Sequence, residues 1–169
     1  MAIQFKINTQ KAVESVLWLI QRGESNMYYI WKMLFAAEKY HLNKYGRPIT
    51  GDGYIAMKYG TVPSWLYSQA KNYPRGLGFI RSENFLFAER PPITMLFSES
   101  DEEALEHGYN EYTGLSFGEV MEKNHKEPTW IKNYELRGGN ESAPIPFEDL
   151  IDADWLKEDL TLDSHFMVI

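Results

Sequence analysis

The sequence predicts an α+β fold, predominantly α-helical, in which a central buried helix packs beside a short antiparallel β-hairpin. Three observations carry this. Between residues 26 and 45, Ile30, Trp31, Leu34, Phe35 and Leu42 cover more than one helical stripe, so that helix is buried on several sides. In LGFIRSENFLFAERPPITMLF, residues 77–97, Phe79 and Ile80 precede a Ser-Glu-Asn turn and Phe85, Leu86 and Phe87 follow it, with Pro91 and Pro92 closing the unit. Two Ser-x-x-Glu capping boxes, Ser100 with Glu103 and Ser116 with Glu119, mark further helix starts. With 169 residues and 44% hydrophobic content, the chain suits one domain with a real core.

Taken in order, Ala12 or Val13, Val16, Leu17 and Ile20 recur at helical spacing and Gly23 is a natural stop. The central helix starts near Ser25 or Asn26 and ends near Tyr45. Within it Glu38 has Leu34, Phe35 and Leu42 at i−4, i−3 and i+4, so its carboxylate must be paired or lie at the core's edge. Arg47 and Lys58 are the expected partners, and Glu38, His41 and Lys58 are assigned to a structural polar core. Gly46, Pro48, Gly51, Gly53 and Gly60, together with Thr50 and Asp52, make residues 44–60 an ordered turn. Thr61, Val62 and Pro63 then restart a helix over about 63–72, before Pro74. Beyond the hairpin, the acids of DEEALEHGYNEY suit the positive end of a helix dipole, Leu115 is placed to staple against Val120, and Pro128 ends that helix. GGNESAPIP, residues 138–146, is linker-like.

The run FAAEKYHLNKYGRPITGDGYIAMKYGTVPSWLY, residues 35–67, resembles the Panacea domain, a bacterial and phage module also described as SocA-like. Thr61 departs from it, since the family often has proline there. LSFGEVMEKNHKEPTW, residues 115–130, is similar to the family's closing helix and its H-x-E-P-x-W ending. The resemblance covers roughly residues 11–135; residues 1–137 are assigned to a Panacea-like domain, and 138–169 to an acidic extension packing on that domain or on a partner. It implies an antitoxin that neutralises a cognate protein toxin by direct binding. One branch of the family implies instead an adaptor delivering the toxin to a Clp-type protease. No catalytic activity comes with the family.

Charge divides the chain at the same place. Residues 1–140 carry sixteen acidic and sixteen basic side chains, whereas 141–169 carry eight acidic ones and only Lys157, so the whole net −7 lies in the tail. There Phe147, Leu150, Ile151, Trp155, Leu156 and Leu160 are interleaved with acids at amphipathic-helix spacing. An acidic tail of this kind complements a toxin with a basic active surface. Candidate partner-binding residues are Arg47, Asp52, Tyr59, Trp65, Asp154, Trp155, Glu158 and Asp159, the first two being exposed on the 44–60 turn.

Catalytic and cofactor readings are weaker. Cysteine is absent, which removes disulfides, thiolate metal sites and a cysteine nucleophile. His41, His107, His125 and His165 form no H-E-x-x-H-like pair, so no metal is expected. The glycines of RPITGDGYIAMKYG match neither phosphate-binding fingerprint. A small-substrate enzyme using Glu38, His41, Arg47 and Asp52 is the alternative, but the cluster lacks a nucleophile, base and orienter in series. The opening MAIQFKINTQKAVES lacks a signal-peptide core and no run is long enough to cross a bilayer. The expectations are therefore a cytoplasmic protein without membrane contact, cofactor or direct nucleic-acid binding.

Overall fold

Asparagine opens the first two helices. The Asn8 side chain accepts from Lys11 N at the head of α1 (Thr9–Gln21), and Asn26 accepts from Tyr28 N at the head of α2 (Met27–Tyr45). These elements belong to a computed structural model that describes residues 3–166, with side chains as far as Asp163. The His165 side chain and the end of the acidic tail lie outside the described residues. The fold is α+β and predominantly helical, with seven helices and two small antiparallel sheets among the described residues.

The predicted central helix is α2. Ile30, Trp31, Met33, Leu34, Phe35 and Leu42 are all buried, and the helix separates two cores. On one side it packs with α1, with α4 (Glu99–Tyr112) and with the hairpin of β3 (Phe79–Ser82) and β4 (Phe85–Ala88), enclosing Val16, Leu17, Trp31, Phe79, Leu86 and Leu105. The hairpin turns at Glu83 and Asn84, with Ser82 opposite Phe85, where the Ser-Glu-Asn signal put it.

On the other side lies a three-stranded sheet that the sequence reading missed. β1 (Tyr54–Met57) pairs with β2 (Gly60–Pro63) and with β5 (Ala143–Ile145), both antiparallel, giving the order β2-β1-β5. Tyr54–Met57 and Gly60 of the supposed 44–60 turn are thus strand, and so are Ala143–Ile145 near the end of the supposed 138–146 linker. Thr61–Pro63 does not start a helix: it completes β2, and α3 (Ser64–Asn72) begins one residue after Pro63.

Two helix starts also needed revision. The capping box of α4 is Ser98 with Asp101, two residues before the expected Ser100 and Glu103, because aspartate at the third position reaches back as well as glutamate does. The Ser116–Glu119 box forms as expected at the head of α5 (Phe117–His125). Pro128 does more than end that helix, since it is the first residue of α6 (Pro128–Glu135), where its missing N–H costs nothing.

The C-terminal segment completes the second core. After a 3-10 turn at Phe147–Leu150, α7 (Asp154–Phe166) buries Leu156 and Leu160 beside Phe35, Leu42, Tyr54 and Ile145. Asn43 of α2 clamps this segment, donating to Leu150 O at 2.7 Å and accepting from Asp152 N at 2.8 Å.

One ion pair, buried at its Glu14 end, ties α1 to the chain after β4. Both Glu14 oxygens accept from Arg90 at 2.7 Å, and Ile93 N adds a third bond. The Arg90 guanidinium holds the Glu14 carboxyl below the usual carboxylate range. Because the folded pKa is depressed, this stabilisation is present above pH 4.5 and lost as pH falls below it. Arg90→Met is expected to cost about 2 kcal/mol at pH 7 and less under acid, read by denaturant melts at the two pH values.

Candidate functional site

The motif-rich segment after α2 is organised by two carboxylates that bind backbone. Glu38, 1% exposed, accepts from Ile49 N at 3.2 Å, Thr50 N at 3.3 Å and Gly51 N at 3.0 Å. Burial pushes its carboxyl up to about 7, although the three N–H groups favour the ionised form. Asp52, 2% exposed, accepts from Trp65 N at 2.9 Å and Leu66 N at 3.1 Å, so it caps α3. Burial raises its pKa as well. Both acids are enclosed.

Arg47 and Lys58 are not the partners of Glu38. Arg47 reaches Asp101 at 3.3 Å, Ser98 Oγ at 3.0 Å and Ser100 Oγ at 3.1 Å on α4. Lys58 is not in the core either: it is exposed in the β1–β2 turn, over the Tyr59 ring at 5.5 Å. The physical reason is local, since three adjacent backbone N–H groups satisfy Glu38 without a cation. His41 is buried, with Nδ1 2.7 Å from Arg47 O and Nε2 2.9 Å from Ser100 Oγ. Burial lowers its pKa, which keeps the ring neutral at pH 7. The Ser100–His41 separation suits a nucleophile and base. Yet Arg47 donates into the same hydroxyl, and Ser100 and His41 line neither of the clefts described below. The cluster joins α2, α4 and the intervening loop.

Of the remaining candidates, Tyr59 is 48% exposed and Trp155 65% exposed. Asp154, Glu158 and Asp159 are exposed beside Trp155, and Trp65 is half-buried. Trp65 lines a shallow depression with Phe5 and Phe147, away from Tyr59.

Tyr59 belongs to a deeper feature, a cleft of about 540 Å³ lined by Tyr28, Met57, Lys58, Tyr59, Tyr134 and Arg137, among others. Its construction explains the H-x-E-P-x-W ending. The His125 ring stacks on Trp130 at 4.0 Å, Trp130 stacks on Tyr134 at 4.7 Å, and Arg137 covers Tyr134 at 3.6 Å. Trp130 Nε1 donates to Met57 O at 2.8 Å, pinning this stack to the β1–β2 turn, while Glu127 pairs with Lys39 at 3.1 Å. Gly60 makes the turn possible. It has φ of +109°, and a Cβ there would lie 2.1 Å from Asn124 Oδ1 and 2.8 Å from Lys32 Cε. A second, more polar cleft of about 430 Å³ lies between α2 and α4, lined by Tyr40, Lys44 and His107 among others.

Lys32 is not in the lining of the first cleft but packs against Gly60 of the β1–β2 turn and near the ring of Tyr28, which does line it. The lysine is fully buried, and its Nζ has no hydrogen-bond partner among the described residues, as is true of His125 Nε2. Helical side chains lean toward the N-terminus, so the Lys32 stem runs back along α2 and brings Nζ to 5.8 Å from the Tyr28 ring. Desolvation pushes its pKa down to about 7 from 10.5. At about 1.4 kcal/mol per unit, the uncompensated charge costs up to about 5 kcal/mol. A depressed lysine makes the unfolded state the better proton binder between pH 7 and 10.5, so stability rises with pH across that window. Lys32→Met is expected to raise the melting temperature at pH 7 and to remove this rise, as thermal melts from pH 6 to 10 would register. Unchanged melts would mean that the ammonium is solvated.

Sequence reasoning overlooked Lys32, although a lone cation inside YIWKMLF on a helix buried on several sides was a visible signal. It quoted His125 and Trp130 without assigning them a place, because their stacking needs the α5–α6 turn. Among the described residues no helix is long and apolar enough to cross a membrane, and no group of three or more histidines or acids is arranged to hold a metal.

A family model described as antitoxin SocA-like, Panacea domain, matches residues 30–131, from the first turn of α2 into α6. No curated protein and no solved structure matches the chain.

Proposed function

The chain belongs to the antitoxin SocA-like Panacea-domain family, and on that premise we propose that it neutralises a cognate protein toxin in the cytoplasm by direct, stoichiometric binding. The match over residues 30–131 carries this reading. The disposition of the motif residues supports it: Glu38 and Asp52 are consumed in holding backbone, leaving shape and surface charge as the means of action.

The acidic tail is one contact surface in this reading. Leu156 and Leu160 anchor α7, while Trp155, Asp154, Glu158 and Asp159 are presented to solvent and complement a basic patch on the toxin. Replacing Trp155 by Ala together with Glu158→Gln and Asp159→Asn is expected to leave melting unchanged and to weaken toxin binding, most at low salt. Undiminished affinity at low salt would remove the tail from recognition.

Arg47 remains a candidate contact, since its guanidinium is half-exposed. Glu38 does not depend on it, and Asp101 keeps Lys11, so Arg47→Ala is expected to cost under about 1 kcal/mol. Lost binding at unchanged stability would then report recognition. The primary test is co-expression with the product of the neighbouring reading frame. Co-purification as a complex is the expected result; a toxin that neither co-purifies nor is degraded faster in the presence of this chain would refute the reading.

A further inference from the structure

We propose that the tyrosine-lined cleft at the β1–β2 turn receives an acidic side chain of the toxin, with Lys32 as the buried cation that pairs with it. This rests on the antitoxin reading above and names the surface and the chemistry through which it works.

Three features of the cleft point to that occupant. The first is the Lys32 ammonium, fully buried and without an acceptor among the described residues, whose stem packs against Gly60 and whose Nζ lies 5.8 Å from the ring of Tyr28, a residue of the cleft wall. Burying a cation without a counter-charge is costly, and an incoming carboxylate supplies the missing acceptor. The second is the cleft's own charge. Lys58 and Arg137 stand on the rim against Glu141 alone, so the field is positive outside the buried lysine as well. The third is composition: Tyr28, Tyr59, Tyr67 and Tyr134 line the cleft, and none of their hydroxyls is bonded within the described residues. Tyrosine and arginine around a desolvated centre are what protein hot spots are made of, and about 540 Å³ holds an acidic side chain and an apolar neighbour.

Entry is short. Tyr59 is 48% exposed at the tip of a two-residue turn and touches Tyr28 only edge-on, at 6.2 Å between centroids. In this proposal the Tyr59 ring turns aside to admit the carboxylate toward Lys32, whose stem packs against Gly60, the residue after Tyr59. His125, held by the Lys58 backbone and stacked on Trp130, stiffens the far side. The cleft and the acidic tail carry opposite charge and therefore read different parts of the partner, which fixes its orientation.

The experiment measures binding of the neighbouring-frame toxin to the full chain by calorimetry, for wild type, Lys32→Met and Arg137→Ala. It also includes toxin variants in which exposed Asp and Glu are changed singly to Asn and Gln. Lys32→Met is expected to melt higher than wild type and yet to bind at least about tenfold more weakly. A protein with improved stability does not lose binding by misfolding. One toxin acid should show the same loss, with no further loss when combined with Lys32→Met. Arg137→Ala, at the rim, should slow association at low salt and matter less at high salt. If wild type binds and Lys32→Met binds equally well, or no toxin acid couples to it, this proposal is overturned while the antitoxin reading stands. If wild type itself does not bind, both fall.

Discussion

Glu38→Ala is expected to unfold this protein at moderate temperature, with a loss of about 4 kcal/mol or more. The carboxylate gathers the N–H groups of Ile49, Thr50 and Gly51, a stretch that makes no regular secondary structure and has no other means of satisfying those donors in the core. Each orphaned buried donor costs about 1–3 kcal/mol, and the cavity left by the side chain adds to that. The consequence extends beyond the loop: Asp52, next in the chain, caps α3, and Tyr54 starts the sheet. Glu38→Gln keeps one acceptor oxygen but aims an amide N–H₂ at backbone donors, so an intermediate loss is expected. Urea melts of the three proteins check the order; a Glu38→Ala protein within about 1 kcal/mol of wild type would show that the loop holds its own conformation.

Gly108→Ala is expected to be nearly as damaging, against the usual trend. In an exposed helix interior this change gains about 1 kcal/mol. Here the added Cβ would lie 2.1 Å from Met33 O and 3.1 Å from Ala37 Cβ, because α4 crosses α2 with backbone almost in contact. Backbone does not give way as a flexible side chain does, so the two helices must separate, opening the core around Leu105 and Trp31. A loss of about 3 kcal/mol or more is the expected result, measured in the same melts. A stabilised Gly108→Ala protein would mean that the α2–α4 crossing is looser than described.

What the chain disclosed before folding followed the range of the interactions involved. The central helix and the β3–β4 hairpin were legible because their signals are local: apolar stripes in one case, two short apolar runs around a turn in the other. The three-stranded sheet was not. Its strands are three or four residues long, β2 is hidden inside a glycine- and proline-rich motif, and β5 arrives some eighty residues later within a linker-like composition. Glu38 was recognisable as a buried acid from Leu34, Phe35 and Leu42. Its partners were not, because nothing in residue types reveals that a carboxylate will be met by bare backbone. Asp52 was legible as a turn residue that binds backbone amides, but not as buried, so it was also counted among the exposed recognition groups. The α4 cap slipped by two residues because SESDEE offers two serines, each followed at the third position by an acid. The tyrosine cleft gathers residues from α2, the β1–β2 turn, α3 and the end of α6, and so emerges only when the chain is folded.

The most direct test of the central claim, neutralisation by occupancy, is a titration of toxin activity with this purified chain at fixed toxin concentration. Stoichiometric binding predicts that activity falls linearly, reaches its floor at a fixed molar ratio and does not drift with time of incubation. Complete, time-dependent loss of toxin activity at a small fraction of that ratio would contradict it, since only turnover lets one molecule silence many.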